Sequence, residues 1–234
     1  MQDYEVNKIM QGSPPPQKYQ VSLENWRKYP YCKWSFSNVR DLIPTAIISE
    51  NRNKKVNFKK NLVDLNSLTI NHKGMRSNLL SVLEKCDTDA FLVMHKGILK
   101  YEFFDNFTKE NTPHIIFSLS KSITSLLVGI LVSKKVINLD SPVSKLIEET
   151  RGSAYEHATV RNVLDMNVAS KFVEDYAGNA QIFKDYRAST GWDIPKQTTE
   201  LNFLGLHDFL SKLPTSDLEH GRKYHYCSPH SDLL

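Results

Sequence analysis

The sequence predicts an α/β (α+β) protein: an antiparallel sheet flanked by helices, plus a mostly helical region, with a site between the two. Three observations predict it. Two β-rich runs, Ala90 to His95 and Ile98 to Phe104, flank the two-residue turn Lys96-Gly97, a strong hairpin signal. A long apolar helix pattern occupies 118–135, with Ile123, Leu126, Leu127, Ile130 and Leu131 at helical spacing. Shorter helix patterns follow over 158–166, where Thr159 is the expected N-cap, and over 204–213, ending before Pro214.

The remaining elements follow in chain order. Residues 13–17, Ser-Pro-Pro-Pro-Gln, form an extended lead-in. Residues 22–45 carry Trp26, Tyr29, Tyr31, Trp34 and Phe36 and run into a short helix at 38–43. Residues 1–45 are therefore expected to form a Pro- and aromatic-rich arm packed across a domain that spans 46–234. Residues 47–70 are irregular with short strand-like pieces. The spacing of Met75, Leu79, Leu80, Val82 and Leu83 predicts an amphipathic helix over 71–85. In the 118–135 helix, apolar residues are dense enough to predict burial of most of its surface. Residues 168–200 read as a long polar and aromatic loop. The chain closes on 231–234 as the first turn of a helix, so it is expected to have been cut short, with C-terminal strands missing and an exposed, aggregation-prone edge.

Composition narrows the function classes. Of 234 residues, 40% are hydrophobic and 24% charged, the balance of a folded domain rather than a disordered chain. The net charge of +4 is scattered. Its densest cluster, Lys54, Lys55, Lys59 and Lys60, lies in an Asn-rich stretch without interleaved aromatics, which reads as a solvated loop and excludes a nucleic-acid surface. No run reaches the roughly 18 apolar residues of a membrane span, and no apolar leader is visible. Cys32, Cys86 and Cys227 match no metal or disulfide framework. The expectation is a cytoplasmic protein acting on a small molecule, with no membrane or nucleic-acid partner and a homodimer as the candidate assembly.

The chemistry centres on Phe117-Ser118-Leu119-Ser120-Lys121, an S-x-x-K motif. A serine hydroxyl is a poor nucleophile until a base takes its proton. Residues three apart on a helix share a face, so Lys121 can reach the Ser118 oxygen. A buried lysine is a better base, because burial disfavours its charged form. The helix N-terminus adds a field that favours a developing oxyanion. Serine and lysine at this spacing recur by chance, so the weight lies in the setting, where a polar loop meets the most apolar helix of the chain. Against this stands the plainer reading of Lys121 on the exposed side of the first turn. Tyr226, in Tyr224-His225-Tyr226-Cys227-Ser228-Pro229, can relay a proton between the serine and a leaving group; otherwise it is a packing tyrosine. His220, His225, His230 and Cys227 fit no zinc spacing and read as surface or packing groups. No G-x-S-x-G elbow is present.

The run 117–125 resembles the nucleophile helix of class C β-lactamases, penicillin-binding proteins and related esterases. The segment 135–143 is similar to the one that follows it there, and 159–166 resembles the family's "TVRHLLxMTSG" helix. The Pro-rich arm with Asn25-Trp26, and Tyr226-Cys227-Ser228-Pro229, resemble the branch of 6-aminohexanoate-dimer hydrolases and carboxylesterases. The resemblance implies a β-lactamase-like fold and hydrolysis of an ester or linear amide through an acyl-enzyme, with no metal or organic cofactor. It implies Ser118 as nucleophile, with Lys121 and Tyr226 handling the proton. It also implies Tyr176 and Trp192 as substrate-binding aromatics. Ser228 stands where lactamases usually have Asn, which argues against a true β-lactamase. Asn167-Val168-Ala169-Ser170 replaces Thr-Ser-Gly, and no Lys-Thr-Gly follows Tyr226. Two alternatives stay open: a non-catalytic or truncated, inactive relative, and a penicillin-recognising protein.

Overall fold

The computed structural model describes residues 5–48, 57–194 and 205–234. The chain divides into two compact units, Met1–Ile115 and Ile116–Leu234. Lys54, Lys55 and the start of the expected 204–213 helix lie outside the described residues.

The first unit is built on a three-stranded sheet. Strands β4 (Ala90–His95) and β5 (Ile98–Phe104) form the expected antiparallel hairpin, with Lys96 and Gly97 both at positive φ in the turn. Strand β1 (Lys59–Lys60) adds to β5 in parallel, so the sheet is mixed, in the order β1-β5-β4. Leu99 and Tyr101 alternate inward along β5, as the period of a strand requires. Helix α2 (Leu79–Lys85) lays Leu79 and Leu83, four apart, against Tyr101, Val93 and Phe103. Its N-cap, Asn78, accepts the Ser81 amide at 2.7 Å.

The helix expected over 71–85 forms only in its second half. The first half is a second hairpin, β2 (Thr69–His72) and β3 (Met75–Asn78), turning at Lys73-Gly74 with φ of 47° and 79°. Two consecutive positive φ values define a type I′ turn, which matches strand twist and stops a helix.

Earlier in this unit, helix α1 (Cys32–Ser35) is anchored by two buried contacts. Trp26 is fully buried; its carbonyl accepts the Ser35 hydroxyl, and its ring meets Phe36 edge-on at 6.3 Å. Lys33, whose side chain is 8% exposed, bridges Asp89 and Asp105, which flank the β4–β5 hairpin. Burial opposes its charge, but the two carboxylates prevail and raise its pKa. His114 Nε2 meets Asp89 at 2.8 Å. The amides of Phe107 and Thr108 donate to Asp105, whose acidity rises despite burial.

The second unit begins with α3 (Leu119–Ser133). It stops in a Schellman motif: Val136 N–H reaches Leu131 O, Lys135 N–H reaches Val132 O, and Lys135 sits at φ 58°. The expectation that α3 buries most of its surface is not met. Leu119, Leu126 and Leu127 are 62%, 70% and 58% exposed, and of its apolar residues Val128 is buried. Helical periodicity reports a face that can be buried; it does not supply the element that covers it.

The core of this unit lies beyond α3. Helix α4 (Val160–Leu164) starts with a full capping box between Thr159 and Asn162. Helix α5 (Gln181–Ser189) occupies part of the region expected to be loop. With α6 (Leu206–Ser211) it packs around Phe172, whose ring meets Phe183, Tyr186 and Phe209 at centroid distances of 6.1, 5.4 and 6.2 Å. Val163, Val168, Leu213 and Cys227 belong to the same cluster. The chain ends in α7 (Ser228–Leu233), with Pro229 in its first turn.

Candidate functional site

Ser118 is the N-cap of α3, and the residue before it is forced into an unusual conformation. Phe117 has φ of 42°, a left-handed backbone that costs a non-glycine residue about 1 kcal/mol or more. Its ring is braced edge-on against Trp192 at 5.9 Å. The result is a sharp turn that presents an exposed Ser118 side chain at the positive end of a 15-residue helix. The Leu119, Ser120 and Lys121 amides are used in the turn, donating to Ile116, Phe117 and Ser118 carbonyls.

Lys121 follows one turn later. It is half-buried, and its Nζ donates to Ser118 Oγ at 3.1 Å. It is thus neither sealed in the core, as the base argument favoured, nor turned to solvent. Tyr226 arrives from the far end of the chain. Its hydroxyl lies 2.7 Å from the same Ser118 oxygen, and Lys121 Nζ sits 5.6 Å from its ring centroid. All three residues belong to the second unit, and a lysine amine and a tyrosine hydroxyl converge on one serine oxygen.

The Tyr226 segment is held by local structure. Helix α4 ends in a Schellman motif with Met166 at φ 51° and Asn167 N–H bonded to Asn162 O. The exposed Met166 carbonyl accepts His225 N–H at 2.7 Å, and Asn167 O accepts Gly221 N–H at 2.9 Å. His220 Nδ1 accepts the Ala169 amide at 3.0 Å. The Asn167-Val168-Ala169-Ser170 stretch is therefore the rail on which 220–225 rests. Next, extended Cys227 points into the core, fully buried. Burial pushes its thiol pKa far up, which makes it an inert packing group. Alternation along this extended backbone then turns its neighbour Tyr226 away from the core and towards Ser118.

Glu174 was not singled out in the sequence, yet it is the hub beside Tyr226. Its carboxylate accepts the Ser228 amide at 2.7 Å and the Ser228 hydroxyl at 2.8 Å. The Tyr176 hydroxyl donates to it as well. Packing around its hydroxyl, then the Glu174 carboxylate, raise the Tyr176 phenol above its ordinary range, although most of the ring is exposed. The five predicted residues are thus placed as follows. Ser118, Lys121 and Tyr226 are in mutual contact. Trp192 braces Phe117, and Tyr176 joins the Tyr226 segment through Glu174 and Ser228.

The histidines do not gather around a metal. His230 is fully buried; its Nδ1 lies 3.1 Å from the Tyr155 hydroxyl, and burial lowers its pKa to about 3. Among the described residues no group of three His, Cys, Asp or Glu side chains could hold an ion. Among the described residues, too, no helix is long and apolar enough to cross a membrane.

Residues 90–234 match the family model described as Beta-lactamase. Across 213 residues the chain is 28% identical to the 6-aminohexanoate-dimer hydrolase of Paenarthrobacter ureafaciens, covering 91% of this chain and 52% of that protein. The chain therefore spans about half the length of the curated relative it matches. A solved Bacillus anthracis structure, provisionally named a 6-aminohexanoate-dimer hydrolase, matches with a TM-score of 0.83 at 22% identity. That match covers 93% of this chain and 57% of the other, and it shows the shared fold.

Proposed function

Because the chain belongs to the Beta-lactamase family, we propose that it carries the acylation site of a serine hydrolase acting on small-molecule esters or linear amides. The observation that carries this reading is the convergence of Lys121 Nζ and Tyr226 Oη on Ser118 Oγ, at 3.1 and 2.7 Å.

Chemistry follows from that geometry. Ser118 Oγ attacks the substrate carbonyl carbon as its proton passes to the Lys121–Tyr226 pair, both of which reach that oxygen. The tetrahedral oxyanion forms at the positive end of α3. Collapse breaks the bond to the alcohol or amine, which leaves with the proton returned from Tyr226. Water then attacks the acyl-Ser118 ester and gives its proton to the same pair; collapse breaks the acyl–Oγ bond, the proton returns to Ser118 Oγ, and the acid is released. Tyr176 and Trp192 are the proposed substrate-binding aromatics. Two features support an ester or linear amide rather than a lactam. Ser228 stands in place of the lactamase asparagine, and the curated relative is named a 6-aminohexanoate-dimer hydrolase.

The test is turnover of p-nitrophenyl esters by the wild type and by Ser118→Ala. The reading expects release of p-nitrophenol that S118A abolishes while circular dichroism stays unchanged. Equal turnover by the two proteins overturns it.

A further inference from the structure

Tyr226 must hold its hydroxyl on Ser118, yet the tyrosine itself lies in a non-helical segment just ahead of α7. Three residues decide where it points. Cys227, fully buried, pins the segment from the core side. Ser228, the first residue of α7, pins it from the other side, and its partner is Glu174. One carboxylate oxygen takes the Ser228 main-chain N–H and the other takes its side-chain hydroxyl, at 2.7 and 2.8 Å. A two-point grip of this kind fixes orientation as well as position, as a single bond does not. The grip acts on the backbone only two residues from Tyr226.

We infer that Glu174 is a positioning residue: by clamping Ser228 at main chain and side chain, it sets the Tyr226 hydroxyl at hydrogen-bond distance from Ser118. The inference rests on the serine-hydrolase reading of this site. Glu174 acts through Ser228; none of its hydrogen bonds goes to Ser118 or Lys121. Its third donor, the Tyr176 hydroxyl, ties the neighbouring loop to the same carboxylate. One carboxylate thus ties the Tyr176 loop to the segment that carries Tyr226. Losing the clamp frees the Ser228 amide and hydroxyl and lets 226–228 swing. A shift near 1 Å at a reacting group costs about 100-fold in rate.

The measurement is the second-order rate at which a fluorophosphonate labels Ser118, followed by intact mass across pH 6–10, in the wild type, Glu174→Ala, Glu174→Gln and Ser228→Ala. E174A is expected to lower the plateau rate about 10- to 100-fold without moving the midpoint of the pH profile. E174Q keeps an oxygen for the Ser228 amide and a group that pairs with its hydroxyl, so its rate is expected within about threefold of wild type. S228A keeps the main-chain half of the grip and should fall between the two. Melting temperatures are recorded alongside, and E174Q shows whether a folded protein with the clamp restored regains the rate. E174A labelling at the wild-type rate overturns the inference. So does E174Q as slow as E174A, or a displaced pH midpoint, since either makes the charge rather than the clamp responsible. No labelling of Ser118 in the folded wild type overturns the hydrolase reading itself, and this inference with it.

Discussion

Replacing Lys33 by Met is the sharpest structural perturbation available in the first unit. Methionine matches the length of the lysine stem and leaves the packing in place, so the change isolates the charge. Lys33 is 8% exposed at its side chain, and its two carboxylate partners are 16% and 13% exposed. Removing the cation leaves two carboxylates side by side in a largely dry setting. Breaking a buried pair in this way costs about 3–5 kcal/mol. Some relief is built in, because His114 meets Asp89 and two backbone amides serve Asp105, which puts the expected loss near the lower figure, about 3 kcal/mol. For a chain of this size that is a fall in Tm of about 6–12 °C. Urea unfolding followed by tryptophan fluorescence reads it directly, since Trp26 and Trp34 flank the lysine. The pH dependence carries a sign. Asp105 has its pKa held below the ordinary 3.8 in the folded protein, so its contribution is complete above pH 3.8 and is lost as pH falls through the lowered value. The gap between wild type and K33M should therefore be full at pH 7 and shrink below pH 4. A loss under about 0.5 kcal/mol, or one of the same size at pH 3 and pH 7, refutes the reasoning.

Two other outcomes follow from the geometry. Tyr226→Phe removes one proton carrier and should cut ester turnover about 100- to 10,000-fold, and Lys121→Met should do the same, with neither changing Tm by more than a few degrees; turnover measured on purified variants decides. His230 is fully buried with a pKa near 3 against an ordinary 6.5. The unfolded chain thus binds a proton that the folded one refuses. Stability should be unaffected by this group above pH 6.5, then fall by about 1.4 kcal/mol per pH unit towards pH 3. His230→Asn keeps a hydrogen-bonding group for the Tyr155 hydroxyl and should flatten that slope in urea titrations.

Much of this fold was legible because local chemistry and tertiary structure agreed. Lys96-Gly97 demanded a turn, and Thr159 with Asn162 made the expected start of α4. The errors have physical causes. Met75 and the leucines that follow it fall at helical spacing, but Lys73-Gly74 adopts two positive φ values and turns that stretch into a hairpin before α2 can begin. Helix α5 was hidden because only Ile182, Phe183 and Tyr186 make its short apolar face, with Asp185 buried beside them, and the packing of Phe183 and Tyr186 on Phe172 reveals it. The serine, lysine and tyrosine could be named in the sequence because motif spacing and family resemblance mark them. Glu174 could not, since its partner lies 54 residues away and no spacing rule joins them. The left-handed Phe117 was equally invisible, because nothing in a phenylalanine announces a positive φ.

The central claim is that Ser118 is an activated nucleophile. It is tested most directly by intact-mass spectrometry of the folded chain after incubation with a fluorophosphonate, with the adduct mapped by peptide sequencing. The account predicts one adduct per chain, on Ser118, absent in S118A and strongly slowed in Y226F. An adduct on another residue, or none on a chain shown by circular dichroism to be folded, contradicts it.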